Sequence, residues 1–423
     1  MFKSDRMSDV MKINVAVFFG GKSTEHEISC ISANQVLHAL DKEKYDVLPI
    51  YISKDNEFYI GDELFDLANY SAILTNPSSH LEKVSIYKDG NKVKVKPVNG
   101  LFKKTIDIDV AFPVVHGTNV EDGSLAGFLQ MLDLPYTSCD VLGGSVGQDK
   151  AVMKDIFKAN GIPMVDYFII YNADFEENYK NYLKKAKEIG FPLIGKPANL
   201  GSSIGIEVIK NEKEFKNKIE ECLKYDFKVV VEDMIEDLKE VNISVIGTNN
   251  EAHYSPIEEV TNGFLDFDKK YNPNGSKAGS KKLGTKVAGS KASKGMVSTV
   301  RIVPAQLKAS QKKKIEETAL KVFRILNSYG CVRIDFMIDK QTNKVYCNEI
   351  NTIPGSLAFY LWKHDGIEFD KECDELINNA LNRYALRAKK TYSFDTNILD
   401  NYKKKWRREQ EKSLLYSWLQ WCL

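Results

Sequence analysis

The chain has 423 residues, enough for two or three lobes, with a 43% hydrophobic and 28% charged composition typical of soluble globular proteins. Lys and Arg (59) nearly balance Asp and Glu (58), so a net charge of +1 sets up no global field for nucleic acid or an acidic partner. Seven scattered cysteines without C-x-x-C and six scattered histidines argue against a disulfide frame or zinc cluster, and no apolar run approaches transmembrane length. Such cysteine usage fits reduced thiols in the cytoplasm. The first residues read as a short polar leader running into a strand, not as a secretory signal.

Residues 13–19 (INVAVFF) form a continuous apolar run, as expected of a buried parallel strand. Gly20-Gly21, Glu25 and a helical pattern from Ile28 follow, the opening of an α/β lobe that binds ligands at strand ends. No G-x-G-x-x-G is present, so a dinucleotide fingerprint is absent. Residues 45–52 supply the next strand, and 53–107 read as short strands and polar turns. Strand 110–115 ends in His116-Gly117-Thr118-Asn119-Val120-Glu121-Asp122-Gly123, which reads equally as a ligand loop or as a polar cap on the helix 124–132. A helix over 150–159 precedes strands at 165–171 and 191–197 around a charged helix at 174–189. The second strand carries Lys196 into a loop of small residues, Gly201-Ser202-Ser203-Ile204-Gly205, a phosphate-cradling design that is weak by itself.

Strands at 228–232 and 241–246 follow, and 256–267 is again extended, ending in Asp268-Lys269-Lys270-Tyr271. Residues 272–295 contain six lysines, five glycines, no acid and three copies of Gly-Ser-Lys; no core can be built from them, and they read as a mobile loop. A strand at 297–303, an amphipathic helix at 306–329 and a closing helix at 371–386 frame a hairpin over 333–355. In that hairpin Ile334, Phe336 and Ile338 share one face, while Arg333, Asp335 and Met337 share the other. Glu349 and Asn351 join from the partner strand. Oxygen-only ligands of this kind suit Mg²⁺, but an ordinary salt-bridged hairpin reads the same way from this stretch alone. The basic and apolar tail, 387–423, fits a terminal helix packed on its own lobe or a second subunit; its apolar part is short for a membrane surface.

Seven stretches in order, GGKSTEHEIS (20–29), HGTNVEDG (116–123), QDK (148–150), KPANLGSSIG (196–205), DKKY (268–271), RID (333–335) and NEINTIPG (348–355), resemble the D-alanine–D-alanine ligases of the ATP-grasp superfamily. The resemblance runs from about Lys12 to Leu386. It implies a three-domain α/β (α+β) ATP-grasp fold: an N-terminal parallel-sheet substrate lobe (12–138), a central lobe (139–234) and a C-terminal lobe (235–386) with a lid at 264–300. ATP would lie between two antiparallel sheets. It also implies ligation of two D-alanines through an acyl phosphate, with two Mg²⁺ ions or Mn²⁺ in their place, in a cytoplasmic homodimer. Carried over by position, Lys150 and Lys196 match phosphate-contacting lysines. Glu232, Asp233 and Ile235 match the adenine segment, Glu240 the ribose acid and Lys270 the lid lysine. Asp335, Glu349 and Asn351 match magnesium ligands. Glu25, Ser202 and Tyr271 match the group that holds the first substrate, and Ser203 the serine over the phosphate. Arg333 and the Gly355 N–H match the oxyanion pair, and His116 and Glu121 flank the second site.

Two stretches depart from that pattern. The lysine-rich insert 272–295 is atypical of the lid. Where the family has a serine for the second substrate's carboxylate, direct counting gives Tyr360, with Ser356 nearer in as a substitute. Tyr271 favours an amine acceptor over D-lactate, and D-serine is the first alternative to D-alanine. An ATP-binding protein without turnover is the alternative from another class; it would have no need of Arg333.

Overall fold

A computed structural model describes residues 12–100, 103–261 and 301–421. The chain divides into one unit ending at Arg383 and a second from Tyr384 to Leu423.

The first unit opens with β1 (Ile13–Gly20), α1 (His26–Ala39), β2 (Tyr45–Ile52), β3 (Phe58–Ile60), α2 (Tyr70–Thr75), β4 (Glu82–Asp89), β5 (Lys92–Pro97), β6 (Ile106–Ile108) and β7 (Val110–Pro113). Strand β1 pairs in parallel with β2 on one side and β7 on the other. Val15, Ala16, Val17, Phe18 and Phe19 are wholly buried, which is why the run is continuously apolar instead of alternating. The expected parallel sheet holds for these three strands. The remaining four extend it antiparallel, in the order β6-β5-β4-β3-β2-β1-β7. Only residues 53–57 separate β2 from β3, too few for the crossover a parallel neighbour needs.

Helices α3 (Ser124–Met131), α4 (Val141–Gln148) and α5 (Lys150–Ala159) lead to the second sheet. The glycine-rich stretch within α4, to which the sequence pattern assigns no element, is helical. Asp140 starts the helix by accepting from the Gly143 N–H at 3.0 Å. A Cβ on Gly147 would stand 2.4 Å from the Thr352 methyl, so glycine there permits close packing against the end of a strand. The second sheet is built from β8 (Tyr167–Tyr171), α6 (Tyr179–Ile189), β9 (Leu193–Pro197), β10 (Glu207–Ile209), α7 (Glu212–Leu223) and β11 (Lys228–Asp233). Its order is β10-β9-β11-β8, antiparallel throughout.

The third sheet follows with β12 (Leu238–Gly247), β13 (Ala252–Tyr254), β14 (Glu258–Val260), β15 (Arg301–Ile302), α8 (Ala309–Ile325), β16 (Gly330–Asp339) and β17 (Val345–Asn351). Its order is β15-β14-β12-β16-β17, also antiparallel, with β13 on β12. Ile315, Ala319, Val322 and Phe323 of α8 bury one helical face among Val332, Ile334 and Phe336 of β16. After α9 (Phe359–Trp362), α10 (Phe369–Ala388) begins. Leu357, Trp362, Cys373, Leu376 and Ile377 share an apolar cluster with β1 and β2, so this segment returns to the first sheet.

The second unit contains α11 (Ile398–Trp421), where Leu399, Tyr402, Trp406 and Leu414 are exposed. Among the described residues no helix is long and apolar enough to cross a membrane.

Candidate active site

The floor of the site is the β16–β17 hairpin. Ile334, Phe336 and Ile338 point into the core, while Arg333, Asp335 and Met337 line a cleft. Arg333 pairs with Asn351 and Asp335 with Glu349, but Phe336 then pairs with Cys347, leaving Asn348 in a bulge. Simple alternation cannot bury both Cys347 and Ile350. The bulge absorbs the odd residue, and Asn348, Glu349 and Asn351 all line the cleft. Arg333 grips Asp335 with a fork, Nε to Oδ1 at 2.7 Å and Nη2 to Oδ2 at 2.8 Å, and Asn351 Nδ2 donates to the same Oδ2 at 3.1 Å. Among the described residues no three His, Cys, Asp or Glu side chains gather to hold a metal alone. Two carboxylates and an amide oxygen instead fit Mg²⁺ sharing its shell with phosphate oxygens.

Opposite the floor stand two lysines. Lys150 begins α5; its Nζ donates to the Leu200 carbonyl at 2.7 Å and lies 3.3 Å from Glu349 Oε2. Lys196, on β9, donates to Glu232 Oε2 at 2.8 Å and to Asn348 Oδ1 at 3.1 Å. Burial works against the Lys196 charge, yet Glu232 and Glu349 outweigh it and hold its pKa above the ordinary lysine value. Glu232 lies behind the cleft wall, its other oxygen 3.2 Å from Lys154 Nζ. Both side chains are almost wholly enclosed. Burial opposes the Glu232 charge, and Lys154 and Lys196 overcome it and keep the carboxyl below its usual range. Lys154 escaped the sequence reading, although it follows Lys150 by one helical turn on the same face.

The loop after β9 is pinned where it begins, at Asn199. Gln148 Nε2 donates to the Asn199 carbonyl at 2.6 Å, and the Asn199 N–H donates to Asp226 at 2.6 Å. Ser202 and Ser203 both adopt left-handed backbone angles (φ +52° and +62°), and the Ser202 hydroxyl donates to Glu25 Oε1. A Cβ on Gly201 would meet Glu25 Oε2 at 2.7 Å, so the loop closes on the carboxylate as tightly as glycine allows. The segment after β1 and the loop after β9 thus meet at Glu25.

His116 is a strut. Its Nδ1, 2.9 Å from the Ile353 carbonyl, must donate because a carbonyl only accepts; in the neutral ring Nε2 then accepts from Ser32 Oγ at 3.0 Å, and that oxygen in turn receives the Ser356 N–H at 3.0 Å. The network assigns the neutral Nδ1–H tautomer. Burial accordingly pushes the His116 pKa down to about 4. Glu121 ties the same turn: it accepts from the Gly117 N–H (2.8 Å), Thr352 Oγ1 (2.9 Å) and the Ile353 N–H (2.8 Å). Its burial drives the carboxyl up to about 7, opposed by the Gly117 N–H and aided by Glu25. Ser32 was invisible in the sequence beyond being a polar residue on the buried face of α1.

Glu240, Ser203 and Gly355 also line this cleft. Asp233 and Ile235 line a separate cavity with Met164, Asp166 and Tyr346. Ser356 is buried away from the cleft lining, and the Tyr360 hydroxyl donates to Glu258 Oε1 at 3.1 Å. Lys270, Tyr271 and the lid 264–300 lie outside the described residues. Asn242, Glu258 and Arg301, none singled out in the sequence, line the cleft.

Residues 14–139 match a family model described as D-ala D-ala ligase N-terminus, and 156–378 one described as D-ala D-ala ligase C-terminus. The chain is 38% identical over 391 residues, 92% of its length and 98% of the relative's, to a D-alanine–D-alanine ligase of Thermosipho melanesiensis. It is similar to the solved D-alanine–D-alanine ligase of Coxiella burnetii (TM-score 0.71, 29% identity, 94% of this chain and 99% of the other). It is also similar to the VanG D-Ala:D-Ser ligase of Enterococcus faecalis (TM-score 0.69, 25% identity, 88% of this chain and 100% of the other).

Proposed function

The chain belongs to the D-alanine–D-alanine ligase family, and from this we infer that its cleft joins two D-alanines through an acyl phosphate. It is an ATP-dependent, ADP-forming ligase that makes D-alanyl-D-alanine for peptidoglycan precursors. In the first step a carboxylate oxygen of one D-alanine attacks the γ-phosphorus of ATP, and the bond to ADP breaks with its electron pair. In the second, the amine of another D-alanine attacks the acyl carbon, gives up a proton and expels phosphate.

What carries this reading is that the Glu25–Ser202 pair, Lys150, Lys196, Arg333 and the Asp335, Glu349 and Asn351 side chains open onto one cleft. Glu25, Ser202 and Tyr271 would hold the first D-alanine's ammonium. Lys150, Lys196, Ser203 and the lid's Lys270 would receive phosphate oxygens. Glu240 would take the ribose, with Glu232, Asp233 and Ile235 beside the adenine. Arg333, fixed by its fork on Asp335, would stabilise the oxyanion together with the Gly355 N–H. His116 and Glu121, spent on the 352–356 turn, would act by placing Gly355. Asp335, Glu349 and Asn351 would hold Mg²⁺, which when bound supplies positive charge to the transferring phosphate.

Within the same reading the lobes divide at 138 and 234, the enzyme is a cytoplasmic homodimer, and the tail stays off membranes. Tyr360 at the serine's place keeps D-serine as the second acceptor to try. Phosphate release with D-alanine alone and with D-alanine plus D-serine, followed by chromatographic identification of the product, tests the assignment. The absence of any amino-acid-dependent phosphate release would leave only a nucleotide-binding protein.

A further inference from the structure

The acceptor's amine and carboxylate sit on one carbon, so whatever receives the carboxylate must share the cleft wall with the reacting carbonyl. Glu258, Asn242, Asp335 and Glu349 follow one another in register across β14, β12, β16 and β17, so the wall next to the hairpin floor is built around Glu258. Glu258 is wholly buried and accepts three hydrogen bonds. Oε1 accepts from Asn242 Nδ2 at 2.9 Å and from the Tyr360 hydroxyl at 3.1 Å, and Oε2 accepts from Arg301 Nη1 at 2.8 Å. The Tyr360 ring supports the Arg301 guanidinium, 4.2 Å from its centroid. The tyrosine at the serine's place has therefore committed its hydroxyl inward and offers its ring to an arginine that lines the cleft.

Arg301 is held, yet incompletely used. A guanidinium has five N–H donors; Nη1 serves Glu258, while the buried Nε has no hydrogen-bond partner among the described residues. A planar fork fixed by a carboxylate on one edge and an aromatic face beneath suits a second carboxylate better than a lone hydroxyl does. We propose that Arg301, positioned by Glu258 and Tyr360, receives the carboxylate of the second amino acid and so replaces the family's serine. This rests on the ligase reading above. It makes the acceptor's negative charge, not merely its size, the feature selected.

The test compares acceptors with and without that charge. The wild-type enzyme, supplied with ATP, Mg²⁺ and D-alanine, is assayed for D-alanyl-D-alanine and, with D-alaninamide added, for D-alanyl-D-alaninamide. The wild type should prefer D-alanine by a large factor in kcat/KM. In Arg301→Gln that preference should fall at least tenfold, with the acceptor KM rising and the KM for ATP within about twofold of wild type. Arg301→Lys, which keeps the charge, should restore part of the preference, and Tyr360→Phe, which keeps the ring, should lose less than Arg301→Gln. If Arg301→Gln does not fold, the Lys and Phe variants decide. An unchanged preference in the variants that fold overturns the assignment, as does a rise in the KM for ATP alone, which would make Arg301 a phosphate contact. A wild-type enzyme making no dipeptide overturns the ligase reading instead, and the assignment with it.

Discussion

Two lysines press on the Glu232 carboxylate from inside the protein, Lys196 at 2.8 Å and Lys154 at 3.2 Å. Replacing Glu232 with Gln leaves two buried ammonium groups facing an amide, and breaking such a pair costs about 3–5 kcal/mol. Lys154→Met leaves a matched Lys196–Glu232 pair beside an apolar chain of similar length, so the loss should be far smaller. Urea denaturation should rank Glu232→Gln well below Lys154→Met; equal losses would show that Lys154 is as necessary as the acid. His116 yields a pH prediction. Its folded pKa of about 4 lies below the ordinary value of 6.5, so the unfolded chain binds more protons between those values. The stabilisation is present above pH 6.5 and is lost as pH falls towards 4, about 3 kcal/mol in all. Glu121, raised to about 7, has the opposite sign over an overlapping window and masks this in the whole-protein curve. The fall in Tm caused by His116→Asn should therefore be greatest near pH 7 and shrink towards pH 4.5. A fall that does not vary with pH would mean His116 titrates at its ordinary value.

At the scale of elements, the turn after β17 concentrates unusual backbone. Ser356, Leu357 and Ala358 are consecutive non-glycine residues at φ +53°, +53° and +56°. The Ser356 N–H is tied to Ser32 Oγ, and the Leu357 carbonyl accepts from Cys331 Sγ at 3.1 Å. A left-handed alanine costs roughly 1–2 kcal/mol, against about 0.8 kcal/mol for a buried methyl. Ala358→Gly should thus leave Tm unchanged or raise it, and Ala358→Val should lower it. A marked drop with glycine would mean that packing of the methyl decides this position. None of this could be read from Ser356-Leu357-Ala358, because left-handed alanine and leucine are set by tertiary contacts. The hairpin before it was legible as alternation, and its Asp335, Glu349 and Asn351 face followed. The Asn348 bulge was not, since it arises from Cys347 and Ile350 both being drawn into the core. Arg301 and Glu258 were missed for a similar reason: they flank the lysine-rich insert in sequence, converge with Asn242 only through sheet register, and meet Tyr360 only through the packing of α9.

At the scale of the molecule, the order of strands and helices was read well where burial is one-sided or total, and poorly where close packing decides, as in α4. The architecture that results sets Lys150 on α5 and Lys196 on β9 against Asp335, Glu349 and Asn351 on the third sheet, so a bound nucleotide would touch both. A ligand that binds only the folded state stabilises it by about 2.7 kcal/mol at a hundredfold excess over Kd. For domains of this size that is a Tm shift of several degrees. The hairpin side of the cleft presents carboxylates, which repel phosphates unless a divalent cation lies between them. Thermal denaturation should therefore show a shift of several degrees with ATP and Mg²⁺ together, and little with ATP and a chelator. Asp335→Ala should erase most of the difference between the two conditions, since it removes one of the two carboxylates. Equal shifts with and without Mg²⁺ in the wild-type protein would mean that the lysines alone carry nucleotide binding. The polar face of the hairpin would then serve to fix Arg333, which its fork on Asp335 already does.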